Sequence, residues 1–107
     1  MESKFLVVLV TAKDSIQAEK IAQELLTQRL AACVNIVKDV HSLFWWEGRV
    51  DRSPEVLLVI KSRGDVFKRL VKAVKSVHSY SVPEIIALPI VDGSPDYLKW
   101  VNESVKK

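Results

Sequence analysis

The sequence predicts an α+β fold, with one antiparallel sheet and its main helices packed on one face. The chain of 107 residues is long enough for one compact core and too short for two, so we predict a single domain over residues 1–107. Hydrophobic residues make up 49% of the chain and charged residues 27%, which is typical of a globular protein. Strand-like and amphipathic segments follow one another in the order β-α-β-β-α-β-α, which favours a split β-α-β sandwich.

The first strand and the first helix are predicted from the pattern of apolar residues. The β-branched and aromatic run from Phe5 to Thr11 indicates a strand buried on both faces. Asp14, followed three residues later by Gln17, resembles a capping box, so a helix should begin here and run to about Arg29. Its inner face is formed by Ala18, Ile21, Ala22, Leu25 and Leu26.

The middle of the chain predicts a hairpin of two strands. Residues 31–46 form one long extended segment, with a bend or bulge expected at 38–39. The turn is expected at Glu47-Gly48-Arg49. Pro54 is expected in the loop before the next strand, which covers Glu55 to Lys61.

The last third of the chain predicts two helices and one strand. Gly64 and Asp65 should cap a second amphipathic helix that ends near His78. A last apolar strand is expected from Glu84 to Val91. The pair Ser94-Pro95, as N-cap and first helical residue, then opens a C-terminal helix.

This order of elements is ferredoxin-like, and the strands are more apolar than one such sandwich needs. The first and third strands are apolar on both faces, but a two-layer sandwich covers only one face of its sheet. Leu43, Phe44, Trp45 and Trp46 are consecutive, so on an extended strand they point to both sides. A closed homo-oligomer that pairs these faces is the economical solution.

Charge and cysteine content restrict the compartment and the partners. The net charge of +3 is a small excess that does not by itself indicate nucleic acid. One cysteine excludes an internal disulfide and suits a reducing compartment, so we predict the cytoplasm. The N-terminal apolar run is too short to span a membrane and lacks a cleavage pattern. We therefore expect neither nucleic acid nor membrane as a partner.

Several function classes that use this topology are disfavoured by the residues. The third strand lacks the stacking aromatics of an RNA-recognition module. The single Cys33 excludes a metal carrier with a Cys-x-x-Cys motif. Gly48, Gly64 and Gly93 are isolated, so the sequence contains no glycine loop for phosphates.

The segment Leu30-Ala31-Ala32-Cys33-Val34-Asn35-Ile36 resembles the CutA1 family of divalent-cation tolerance proteins. The resemblance spans essentially the whole chain in the right order. It continues through Trp46-Glu47-Gly48, Glu55 to Lys61, His78-Ser79-Tyr80, Val82-Pro83-Glu84-Ile85-Ile86 and Tyr97-Leu98-Lys99-Trp100. One departure is Ser79, where the family commonly has proline, and this loosens the backbone restraint after His78.

The resemblance implies a ferredoxin-like subunit in a tight homotrimer, similar in build to the PII signalling proteins. It also implies a link to tolerance of copper and other divalent cations, with copper binding. We expect this protein to bind copper or similar ions weakly and to catalyse no reaction. An alternative is a PII-like signalling trimer that binds a small ligand in clefts between subunits. A second alternative is an enzyme with His78 and Glu84 as acid and base, which no nucleophile and base at readable spacing supports.

Two residues are candidate metal ligands. His78 lies at the predicted end of the second helix, where it can ligate a metal or interact with the helix dipole. Cys33 is a soft ligand suited to Cu(I), although a buried free cysteine is more often a small apolar residue. His41, on the long strand, is at most an adventitious donor.

Four residues at positions that match the family are candidates for an intersubunit cleft. Lys61, Tyr80 and Glu84 offer a cation, a phenol and a carboxylate, with Trp46 as one wall, and such a cleft could hold a small anionic ligand. The equally weighted alternative is that Lys61 and Glu84 form an ion pair at the trimer seam.

Overall fold

A computed structural model describes residues 4–107 and confirms the predicted order of elements. The elements are β1 (Phe5–Ala12), α1 (Ser15–Thr27), β2 (Cys33–Trp46), β3 (Arg49–Arg63), α2 (Phe67–Val77), β4 (Ile85–Pro89) and α3 (Pro95–Ser104). A short 3-10 turn, Gly64–Val66, precedes α2. The four strands form one sheet in the order β2-β3-β1-β4, and every neighbouring pair is antiparallel.

The core lies between the helices α1 and α2 and one face of the sheet. Alternate residues of the two central strands turn inward, so Val8 and Val10 of β1 and Leu58 and Ile60 of β3 are fully buried. The helices complete the core with apolar stripes at helical spacing. The buried residues of those stripes include Ala18, Ile21, Leu25, Leu70 and Val74.

Helix α1 begins as predicted and ends two residues early. The Asp14 carboxylate accepts a hydrogen bond from the Gln17 backbone N–H at 2.8 Å, as expected of an N-cap. The Gln17 side chain, however, does not complete a capping box, because it extends to the end of α2. At the other end, Arg29 has a φ of 59°, in the left-handed region, and this conformation stops the helix before Arg29.

The β2–β3 hairpin is longer than predicted, and Pro54 lies within β3 and not in a loop. Over residues 49–55, β3 pairs with β2 alone, whereas β1 pairs with β3 from Val56 onward. A strand paired on one side only tolerates a residue without an N–H, which explains the position of Pro54. The predicted irregularity at 38–39 is confirmed as a register shift between Val37 and Val40, where Asp39 has a φ of 61°.

Three details of the second half differ from the sequence prediction. Asp65 does not cap α2, because its carboxylate pairs with Arg63 at 2.9 Å and this guanidinium lowers the pKa of Asp65. Strand β4 is shorter than predicted because its pairing with β1 covers only Ile85–Pro89. The Ser94 side chain makes no capping hydrogen bond, although Pro95 occupies the first turn as expected.

Helix α3 contacts β3, and its buried residues Val101 and Val105 belong to the core, whereas Tyr97 lies beside Cys33 on the sheet face that α1 and α2 leave uncovered. Arg63 donates hydrogen bonds to the backbone and side-chain oxygens of Asn102, at 3.0 and 3.2 Å. Beyond α3, apolar side chains of this face remain accessible, with Val37, Ile86 and Leu88 exposed by 44%, 49% and 51%. We call this surface the open face.

Candidate functional site

A groove of about 880 Å³ lies along the β2–β3 hairpin. One wall is the hairpin itself, and the other is the segment from Tyr80 to Glu84, which leads from α2 to β4. We call it the hairpin groove. Its lining residues include Thr11, His41, Phe44, Trp46, Asp51, Arg52, Glu55, Tyr80, Val82 and Glu84.

The charged side chains of the hairpin groove are mainly acidic. Asp51, Glu55 and Glu84 face it, and Arg52 is the one guanidinium or ammonium group among its described lining residues. The whole chain, by contrast, has a net charge of +3. A groove of this charge favours cations over anions.

Tyr80 and Glu55 form the central hydrogen bond of the groove. The Tyr80 hydroxyl donates to the Glu55 carboxylate at 2.8 Å across the two walls. Burial, and then the Glu55 carboxylate, raise the pKa of Tyr80 to about 12. The phenol is therefore neutral, and remains a hydrogen-bond donor, throughout the physiological pH range.

Both ring nitrogens of His78 are engaged by the backbone. Nδ1 accepts the Tyr80 N–H at 3.0 Å, and Nε2 lies 2.8 Å from the Thr11 carbonyl oxygen. Because a carbonyl only accepts, these partners assign the neutral imidazole with its proton on Nε2. The ring thereby ties the start of the 80–84 wall to the end of β1, despite the absence of a proline at Ser79.

Gln17 fastens the same segment from the side of α1. Its side chain is only 8% exposed, and both ends of the amide are used. Nε2 donates to the Val77 carbonyl oxygen at 2.8 Å, and Oε1 accepts the Ser79 N–H at 3.0 Å. The backbone carbonyl and N–H groups at the end of α2 thus find their hydrogen-bond partners in a side chain from another helix.

Cys33 lies in a different polar cluster, on the open face. Its thiol is 3.9 Å from the side-chain oxygen of Asn35, which also accepts a hydrogen bond from the Lys61 ammonium group. Tyr97 of α3 lies beside it, since burial and then the Cys33 thiol raise the pKa of Tyr97. The cluster therefore joins the edge strand β2 to β3 and α3.

The structure brings together three of the four candidate cleft residues. Trp46, Tyr80 and Glu84 line the hairpin groove, whereas Lys61 belongs to the Cys33 cluster. Lys61 and Glu84 form no ion pair within the described part of one subunit.

The two candidate metal ligands are far apart within one subunit. Cys33 is opposite Lys61, which is opposite Val7, whereas His78 binds Thr11, four residues farther along β1. That interval alone is about 13 Å of strand. Over residues 4–107, no group of three or more His, Cys, Asp or Glu side chains is arranged to hold a metal ion.

Sequence reasoning missed Glu55 and the side-chain role of Gln17. Glu55 follows Pro54 at the expected start of a strand, and nothing in that pattern marks it as a groove residue. The role of Gln17 could have been suspected from the sequence, because it is a polar residue on the apolar stripe that continues with Ala18 and Ile21. A buried amide in such a stripe needs partners from another element.

Comparison with known proteins identifies the family. The family described as CutA1 divalent ion tolerance protein matches residues 6–104. The chain belongs to the CutA1 family. It is 45% identical over 98 residues to the divalent-cation tolerance protein CutA of Thermus thermophilus, and the match covers 92% of this chain and 95% of that protein.

A relative and a crystal structure, both from the plant Oryza sativa, extend the comparison. The chloroplastic protein CutA 1 of Oryza sativa is 42% identical over 102 residues, which are 95% of this chain and 58% of that longer protein. The chain thus spans little more than half of this relative. The crystal structure of CutA1 from Oryza sativa superposes with a TM-score of 0.95 at 40% identity, covering 99% of this chain and 97% of that one.

The family is named for tolerance of divalent ions, and this name mentions no catalysed reaction. None of the helices described in residues 4–107 combines the length and the hydropathy that a membrane span requires.

Proposed function

We propose that this chain functions in the response to divalent metal ions, copper among them, as a homotrimer that binds the ion weakly and catalyses no reaction. We place this activity in the cytoplasm, without nucleic acid or membrane as a partner. Membership of the CutA1 family supports the divalent-cation response. The observation that carries the binding proposal is the acidic lining of the hairpin groove.

The charge of the groove favours a cation as its occupant. Carboxylates from β3 and from the wall segment face the groove, and only one strongly basic side chain, a guanidinium, is among its described lining residues. His41 adds a nitrogen donor from β2. Oxygen and imidazole donors suit divalent ions such as Cu(II). In a homotrimer, residues of a second subunit would complete the coordination that one subunit lacks.

The two ligands predicted from the sequence are part of this proposal in different ways. Cys33 is partly accessible on the open face and would supply a soft donor for Cu(I). His78 could bind a metal only by giving up its hydrogen bond to the Thr11 carbonyl oxygen or to the Tyr80 N–H. We therefore expect Glu55→Gln to weaken Cu(II) binding more than His78→Ala.

Native mass spectrometry of the metal-free protein, followed by addition of Cu(II) against a competing chelator, tests the proposal. We expect a trimer that retains copper, and less copper in Glu55→Gln than in the matched surface variant Glu19→Gln. Cys33→Ala and His78→Ala test the other two donors. A trimer that takes up no copper under competition would contradict the proposal.

A second candidate function is a signalling trimer that binds a small ligand in clefts between subunits. The observation that favours it is the size of the hairpin groove, about 880 Å³ with Phe44, Trp46 and Tyr80 among its walls, which suits a small molecule. Its charge favours a cationic ligand over the anionic one expected from the sequence. Saturable binding of an organic cation that Glu55→Gln abolishes, in a trimer that ignores Cu(II), would support this function over the first.

A further inference from the structure

Four hydrogen bonds fix the segment Val77–Tyr80 at the end of α2. Two of them use the amide of Gln17, which reaches from α1 to the Val77 carbonyl oxygen and to the Ser79 N–H. The other two use His78, which joins the Thr11 carbonyl oxygen to the Tyr80 N–H. The segment is therefore attached to α1 and to β1 by polar contacts of defined direction.

This segment determines where one wall of the hairpin groove begins. Tyr80 is the first residue of that wall and, through its hydroxyl, holds Glu55 of β3 at 2.8 Å. Ser81, Val82 and Glu84 follow directly and also line the groove. A displacement of Ser79 would therefore move the Tyr80 ring, its bond to Glu55 and the groove wall together.

The amide at position 17 satisfies both of its partners. The Val77 carbonyl oxygen needs a donor, and the Ser79 N–H needs an acceptor at the same reach. A glutamate would present acceptors to both, and a methionine of similar shape would offer neither hydrogen bond. The side chain is 8% exposed, so water replaces these bonds poorly.

We propose that Gln17 is a positioning residue for the hairpin groove, through which α1 sets the location of the Tyr80–Glu55 wall. The proposal rests on the proposed function only in taking this groove as the binding site. Helix α1 contributes no lining residue, but through Gln17 it controls the geometry of the site.

The first experiment is NMR spectroscopy of the metal-free protein with Gln17→Met and the control Gln23→Met, an exposed glutamine on the same helix. We expect Gln17→Met to lower the hydrogen-exchange protection of the Ser79 and Tyr80 amides about tenfold and to shift the Tyr80 ring resonances. The core amides of Val8 and Ile60 should keep their protection, and Gln23→Met should change neither readout.

Two results of this experiment would overturn the proposal. One is unchanged Ser79 and Tyr80 protection and an unchanged Tyr80 ring signal in Gln17→Met. The other is an equal loss of protection at Val8 and Ile60, which would show that Gln17 stabilises the whole fold and does not position the groove. Gln17→Glu, which keeps the reach of the side chain but loses the donor, should reproduce the local effect.

Cu(II) then separates this proposal from the proposed function. In competition with a chelator, Gln17→Met should retain several-fold less copper than Gln23→Met. If the wild type retains no copper while the NMR changes occur as expected, the cation-binding function fails and the positioning role stands. If Glu55→Gln loses copper but Gln17→Met does not, the groove binds the ion and the positioning role fails.

Discussion

At the scale of the residue, burial and the hydrogen bond to Glu55 together raise the pKa of Tyr80. Burial is the larger cause of the raised pKa of Tyr80, and the Glu55 carboxylate adds to it as acceptor and as negative charge. We predict that Glu55→Gln lowers the pKa of Tyr80 from about 12 toward the ordinary tyrosine value of 10.0. Absorbance at 295 nm in a Tyr97→Phe background measures it, because the pKa of Tyr97 is raised as well. An unchanged Tyr80 titration would show that burial alone accounts for the shift.

The same pair predicts a dependence of stability on alkaline pH. The folded-state pKa of Tyr80 lies above the unfolded value, so its contribution to stability is complete below about pH 10. It is lost as the pH rises through about 12. Urea unfolding from pH 8 to 11.5 should therefore show a falling free energy of unfolding above pH 10, and a smaller fall in Glu55→Gln. Parallel curves for the two proteins would contradict this account.

At the scale of the element, the bulge in β2 depends on one residue in the left-handed conformation. Asp39 has a φ of 61°, which aspartate tolerates better than β-branched residues do. We predict that Asp39→Val lowers the free energy of unfolding by about 1–2 kcal/mol, whereas Asp39→Gly keeps it within about 0.5 kcal/mol. Chemical denaturation measures both. Lys38→Val, at the exposed neighbouring position without a positive φ, is the control and should cost less than Asp39→Val.

At the scale of the whole molecule, the open face and the hairpin are surfaces that expose large apolar side chains. Ile86 and Leu88 of β4 are about half exposed on the open face, and Trp45 near the hairpin turn is 75% exposed. These residues lie on extended strands with accessible edges, where exposed apolar side chains favour association.

We predict that Leu88→Lys dissociates the proposed homotrimer, because it places an ammonium group within the apolar open face. Ile16→Lys is the matched control, since Ile16 is 81% exposed on α1, on the opposite side of the sheet. Light scattering after size-exclusion chromatography should give three times the 12.1 kDa of the chain for the wild type and Ile16→Lys, and a lower mass for Leu88→Lys. Equal masses for all three proteins would mean that the open face is not the interface.

Local patterns in the sequence determined the elements and their order. The strands follow from alternating and continuous apolar runs around Val8 and Leu58, and the helices from apolar stripes such as the one through Ile21. The cap at Asp14 and the bulge at 38–39 were also predictable, because each depends on residues that are neighbours in sequence. The resemblance to the CutA1 family was likewise readable from motifs in order along the chain.

Only the tertiary structure decided which side chains meet. Gln17 binds Val77, 60 residues away, and His78 binds Thr11, 67 residues away, so neither contact has a local signature. Pro54 lies inside β3 because only β2 pairs with that part of the strand. Periodicity shows which face of an element is apolar, but partners for buried polar groups are chosen by packing between distant segments, and these partners shape the hairpin groove.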